Sequence, residues 1–332
     1  MNTALPMIIK SALTMLFLAA LSLPAHAMVY VGSWDLRGNG QSDTVYRIST
    51  GIRIVSPSGA RRDYPIRNNA WSLYGAADTD GYPGAELIVR AGNEAIIINH
   101  SSQSQRSYNM GNVSWAIIQD ADVDNVPGHE VLISTPSSVK VVNDVKGSVR
   151  DIPISNRSIV WSLFGLANLS GNGLDLVINT PDGVIIVDPR TYSSKSFSLP
   201  GSSAIVGIAS LAEGDIQHVY ARTPSHVYVI SGGTRGSVTP YQLGTAENWA
   251  IYHQTADTNG KEGDEIIVKM AYSVVTISHA SKGMRSHRIG TSFVIEAVED
   301  RDNKAGKEII VKTFAGVTHV INDTTSTGVM PR

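Results

Sequence analysis

Asp78, Asp80 and Glu86 stand around Gly81 and Gly84, and Asp122, Asp124 and Glu130 repeat the arrangement around Asn125 and Gly128. Carboxylates this close on one short loop can supply oxygen ligands to a hard cation such as calcium, which takes about six to eight. The same residues also make a tight corner without any ion. Aspartates accept backbone N–H groups in Asx-turns, and glycines supply positive φ. Spacing alone leaves both uses open; the structural corner is the reading preferred, with these six acids as the candidate calcium ligands.

A second set of residues could bind an organic ligand. Trp71, Trp115, Trp161 and Trp249, four of the five tryptophans, occupy one repeated position. Arg67, Asn68, Asn69, Asn112, Arg157 and Asn248 lie just upstream of them. Flat aromatic faces beside Asn and Arg donors would suit a sugar or an extended peptide, whereas the structural alternative is packing of the indoles in a core. Trp71, Trp115, Trp161, Trp249, Arg67, Asn112 and Arg157 are therefore the candidate ligand-binding residues.

Catalytic patterns are missing. The nine histidines include no His-Glu-x-x-His pair, and no Gly-x-Ser-x-Gly elbow occurs. Residues 231–236, Ser-Gly-Gly-Thr-Arg-Gly, precede no helical pattern that could receive a phosphate. The chain has no cysteine, which excludes disulfides and thiol chemistry. A formal net charge of −2 with no run of like charges argues against a nucleic-acid or membrane-surface partner.

Residues 1–27 carry Lys10, an apolar run over 15–21 and then Ala25-His26-Ala27, the pattern of a secretory signal with a small-x-small cleavage site. The run is short for a membrane span, so the expectation is an exported protein, periplasmic or secreted, that is not integral to the membrane after cleavage. The absence of cysteine fits bacterial export better than a eukaryotic route.

The elements that must position these residues come from a repeat. The acidic loop recurs, with substitutions, at Asp35–Asp43, Asp78–Glu86, Asp122–Glu130, Asn168–Asp175, Asp257–Glu265 and Asp300–Glu308, and an eroded copy follows Ala204. The interval is roughly 44 residues, a period of propeller blades. Within one unit, short β-branched runs such as 86–90 and 95–99 are divided by Gly, Asn and Ser, which reads as four strands. The prediction is an all-β, seven-bladed β-propeller with four antiparallel strands per blade. It fills residues 28–332 as one domain, with blades near 28–67, 68–111, 112–157, 158–200, 201–245, 246–289 and 290–332.

These loops resemble FG-GAP or VCBS repeats, the units of the integrin α-chain propeller. The aromatic-glycine pairs Tyr74-Gly75 and Phe164-Gly165 add to the likeness. The family's calcium loop keeps an oxygen ligand at its fifth position, where this chain has Tyr82, Val126, Lys261 and Lys304. The resemblance implies a ligand-binding or adhesion module without catalysis, recognising a glycan or an extracellular or envelope protein through loops on one face. The alternatives are a lyase or hydrolase acting on polysaccharide, and a structural subunit of an envelope assembly.

Overall fold

The computed structural model describes residues 28–68, 70–154, 161–201, 203–212, 214, 216–244, 249–324 and 330–331. The leader at 1–27 and the candidates Asn69, Arg157 and Asn248 lie outside them. The described residues form seven antiparallel sheets of four strands, each sheet taking its strands in sequence order. Among the described residues the one helical element is a 3-10 turn at Gly233–Arg235.

The sheets belong to two compact units. The described residues up to 154, with 189–193, form the first; those at 161–188 and from 194 onward form the second. Sheet 1 opens with β1 (Val29–Trp34), β2 (Asp43–Ile48), β3 (Gly51–Val55) and β4 (Arg61–Pro65). Sheet 2 holds β5 (Trp71–Ala77), β6 (Glu86–Ala91), β7 (Glu94–Asn99) and β8 (Ser104–Asn109). Sheet 3 holds β9 (Ala116–Ala121), β10 (Glu130–Ser134), β11 (Ser138–Asn143) and β12 (Ser148–Pro153). In the second unit, sheets 4 to 7 begin at Ser162, Ala204, Ala250 and Phe293.

Middle strands such as those of sheets 2 and 6 are apolar without alternation because these sheets are covered on both sides. Leu87, Val89, Ile96 and Ile98 of sheet 2 pack with Ile52, Ile54 and Tyr64 of sheet 1. Ile88 and Ile97, one residue out of step, turn the other way and pack with Ile117, Val131 and Ile133 of sheet 3. Successive side chains of a strand point to opposite faces, so a run buried on both must be greasy throughout. The second unit repeats this: Ile266 and Val268 join the core with sheet 5, and Ile267 the core with sheet 7.

Two further features recur. The first strand shifts register by one residue between Leu73 and Gly75, between Leu163 and Gly165, and at the matching place in sheets 1, 5 and 7. The aromatic-glycine pairs thus sit at β-bulges, which bend the strand and raise its twist. The fourth strand is exposed except for one residue that reaches the next sheet. Tyr64 bonds His100 at 2.8 Å and Tyr108 donates to Asp144 in the first unit. In the second, Tyr241 bonds His279 at 2.8 Å and His287 bonds Asp323 at 3.1 Å.

Candidate functional site

The acidic loops join the first and second strands of each sheet. Their aspartates cap the turn: Gly81 N donates to Asp78 at 2.7 Å and Tyr82 N to Asp80 at 2.9 Å. The glutamate at the far end turns inward. Glu86 and Glu130 are 1% and 2% exposed, and accept the amides of Thr79 (2.8 Å) and Val123 (3.1 Å). Glu265 and Glu308 do the same for Thr258 and Arg301 at 2.9 Å. Burial pushes the Glu86 and Glu130 carboxyls up to about 7, against the pull of those amides, and the neighbouring aspartates add to the rise.

Within each unit, successive loops also clasp one another. Ala85 N donates to Asp35 O at 3.0 Å and His129 N to Asp78 O at 2.7 Å in the first unit. Gln217 to Asn168, Asp264 to Ser210 and Lys307 to Asp257 repeat the bond in the second, at 2.7–2.8 Å. Where a glycine precedes the donor, as at Gly84, Gly128, Gly263 and Gly306, this contact requires it. Gly128 has φ +112°, and a Cβ there would stand 2.9 Å from Thr79 O.

The fit to calcium differs between loops. Asp78, Asp80 and Glu86 offer oxygens within 4.8 Å of one another, as do Asp122, Asp124 and Glu130, and Asp300, Asp302 and Glu308. In sheet 3, however, the Lys146 ammonium lies 2.6 Å from Asp124, and Asn143 donates to Glu130 at 2.6 Å. In sheet 7, Lys304 lies 2.9 Å from Asp302, and Asn322 donates to Glu308 at 3.0 Å. In both loops an ammonium already pairs with one of the three acids. In sheet 2 the corresponding donor is neutral: Asn99 bonds Asp80 at 2.6 Å. The residue at the family's fifth ligand position, Tyr82, is 72% exposed.

Three of the tryptophans, Trp71, Trp115 and Trp249, pack in junctions between sheets. Trp71, Trp115 and Trp249 are buried, with Trp161 half-buried. Arg47 lies over Trp71 at 4.3 Å from the ring centroid, Arg90 over Trp115 at 5.0 Å and Arg222 over Trp249 at 4.6 Å. Lys269 covers Phe293, which holds the same repeat position, at 5.4 Å. Of the two uses weighed for these indoles, packing is the one seen at Trp71, Trp115 and Trp249, because large apolar rings beside a neighbouring sheet gain most by burial. A cation from the preceding sheet closes over the remaining ring face.

At the same end of the first unit the surface is polar. A groove of about 800 Å³ between sheets 1 and 2 is lined by Arg67, Asn68, Asn93, Glu94, Asn109 and Asn112, over a floor that includes Ile66 and Ile96. The amides are oriented: Asn93 Nδ2 donates to Asn112 Oδ1 at 2.6 Å, and Asn68 and Asn109 cap the following turns. Trp115 Nε1 donates to Gly92 O at 3.0 Å and pins the turn that presents Asn93. The structure therefore brings Arg67 and Asn112 together, with Trp71 and Trp115 behind them. Asn93, Glu94 and Asn109 were missed by sequence reasoning; their only signal was the Gly92-Asn93 turn. The neighbouring groove between sheets 2 and 3, about 1070 Å³, contains Ser138, Lys140 and Asp151. Those three satisfy one another, at 2.5 and 2.9 Å.

No family model and no curated protein sequence matches the chain. Similar solved structures include a catalytically inactive virginiamycin B lyase from Staphylococcus aureus with quinupristin, at 14% identity over 88% of this chain and 94% of that one, TM-score 0.37. An Agrocybe aegerita lectin specific for non-reducing terminal N-acetylglucosamine is similar at 14% identity, over 92% and 79% of the two chains, TM-score 0.35. The Dos1 propeller is similar at 9% identity, over 87% and 80%, TM-score 0.38. At such identities and scores none of their activities transfers to this chain.

Proposed function

We propose that the seven sheets close as the blades of a propeller, and that the protein is an exported, non-catalytic module that binds a glycan in the groove between sheets 1 and 2. The observation carrying this reading is the convergence of four asparagines on one groove. Each amide offers both donors and acceptors, which is what vicinal hydroxyls require. A rigid sheet scaffold with its polar groups on connecting loops is a common carrier of binding function. Catalysis is disfavoured by the same lining: Glu94 is its one carboxylate, whereas glycoside hydrolysis ordinarily needs a pair.

The test is binding to a glycan panel, with the products analysed. Asn93→Ala and Asn112→Ala are expected to weaken binding about tenfold each, since a lost polar contact costs on the order of 1 kcal/mol or more. Both residues are exposed, so melting temperatures should stay put. Release of reducing or unsaturated ends would favour the polysaccharide-acting alternative. Absence of any glycan ligand would remove the reading.

The acidic loops act, on this proposal, as clasps between sheets that need no ion. Adding calcium or a chelator is then expected to leave the melting temperature unchanged. A calcium-dependent rise that Asp80→Asn abolishes would overturn this and assign the ion to the sheet 2 loop, where no ammonium competes.

A further inference from the structure

Sheet 2 is bordered by a groove on each of its faces, at the end away from its acidic loop. Side chains alternate between the faces along a strand, so Glu94, Ile96 and Asn109 turn toward sheet 1 and line the first groove. Met110, the residue after Asn109, turns toward sheet 3 and lines the second. Gly111 lines both, so the two grooves, of about 800 and 1070 Å³, meet over the end of β8. The meeting point is bare: a Cβ on Gly111 would have nothing within 4 Å. The backbone there is also fixed. Met110 N donates to Asn93 O at 2.7 Å, Gly111 N to Asn109 Oδ1 at 2.8 Å, and Asn93 Nδ2 to Asn112 Oδ1 at 2.6 Å.

The two grooves differ in chemistry. The first presents the amides of Asn68, Asn93, Asn109 and Asn112. In the second the charges are closed on one another: Lys140 stands 2.5 Å from Asp151, to which Ser138 donates at 2.9 Å. The open surface there is apolar. Val113, 46% exposed on the connection from sheet 2, faces an exposed Pro153 of sheet 3 across a floor of buried Met110 and Ile154. Walls of this kind offer no compensation to an ion stripped of its water, and suit the CH face of an uncharged sugar ring. Pockets of about 300–1,000 Å³ ordinarily hold a whole small-molecule ligand, so a single terminal sugar would occupy one groove and leave the other open.

We propose that the two grooves act as one cleft for the interior of an uncharged, linear glycan. The chain crosses at Gly111, with its hydroxyls held by the asparagines on one side and a sugar ring seated on Val113 and Pro153 on the other. The assignment rests on the glycan reading above and adds the ligand's length and its mode of entry, a chain segment in place of a chain end. A ligand joined through the crossing makes its second contact intramolecularly, so modest contacts in each groove multiply. The fixed backbone at residues 109–112 keeps the ordering cost of that crossing low.

The experiment is calorimetry on the full chain with β-linked oligomers of glucose, xylose and N-acetylglucosamine, each as dimer, tetramer and hexamer. In a series that binds, the hexamer is expected to bind at least about fiftyfold more tightly than the dimer, the effect of burying roughly 90 Å² of further apolar surface. Ser137→Trp, at an exposed site in the sheet 3 turn, fills the second groove. It should bring the hexamer to within about fivefold of the dimer, the residue of gain that a longer chain has from offering more starting positions. Dimer affinity and melting temperature should not change. Val113→Asp, on the other wall, should act in the same way by removing the apolar contact. Equal binding of dimer and hexamer, or a hexamer indifferent to both variants, would overturn the extended cleft and leave the first groove standing as a site for a terminal sugar. Binding of none of the three series would overturn the glycan reading and the cleft with it.

Discussion

Trp115→Ala is expected to destabilise the first unit by about 3–5 kcal/mol, the usual cost of truncating a buried aromatic to alanine. Trp115 is 4% exposed and packs with Ile117, Val131, Ile133 and Met110 in the core shared by sheets 2 and 3. Its removal also strips the ring from beneath Arg90 and the donor from Gly92 O. Trp115→Phe keeps most of the packing and loses the Nε1 bond, for about 1 kcal/mol. That variant should therefore separate two roles: most of the stability returns, while glycan affinity stays low because the turn carrying Asn93 is no longer pinned. Denaturant melts followed by a probe in sheet 2, together with calorimetric binding, read both. An alanine variant as stable as the parent would mean the ring is not in the core, and the account of the groove's rear wall would fail with it.

Two groups of buried side chains are expected to respond to acid in opposite directions. Glu86 and Glu130 have carboxyls raised by burial from 4.5 to about 7, so the folded state prefers their protonated form. Their contribution is greatest below the unfolded value near 4.5 and is lost as pH climbs from there to about 7. The size is at most ~3 kcal/mol for each. His279 behaves the other way. Burial, then the facing His218 ring and the Lys282 charge, lower its value from 6.5 to about 4, and its ring sits 4.9 Å from His218 and bonds Tyr241. The fold there prefers neutral imidazole, so stability is complete above about 6.5 and falls as pH drops toward 4. Burial lowers His218 as well, although its hydrogen bond to the backbone carbonyl of Ala209 opposes it.

Between pH 7 and 5, the amides held by Glu86 and Glu130 should gain protection as those around the His218–His279 contact lose it. Hydrogen exchange corrected for intrinsic rates resolves the sheets separately. Glu86→Gln with Glu130→Gln should flatten the first response, and His279→Asn the second. Parallel responses in the two regions would rule out this assignment of the titrating groups.

The fifth repeat explains why one part of the pattern was illegible. Its acidic signature is gone, yet Leu211 N is directed at His218 Nδ1 at 3.4 Å, where other copies direct an amide at a buried carboxylate. The requirement at that position is an acceptor for one buried amide, which a neutral imidazole also meets. A search for acids in the sequence cannot see that equivalence. Asn93 and Asn109 escaped for a related reason. They flank turns of unremarkable composition, and become a site only because their sheet lies beside the connection that carries Arg67 and Asn68.

The sequence by itself determined the sheets: their number, their four strands and the corner of each, since these follow from apolar runs and turn residues recurring at one interval along the chain. Those signals are local, and the hydrogen bonds they specify join neighbouring segments. Tertiary structure alone decided what the tryptophans face and which loops hold one another. Each of those outcomes depends on one sheet stacking against the next, which places Arg47 on Trp71 and Arg90 on Trp115 across a junction that the repeat does not spell out.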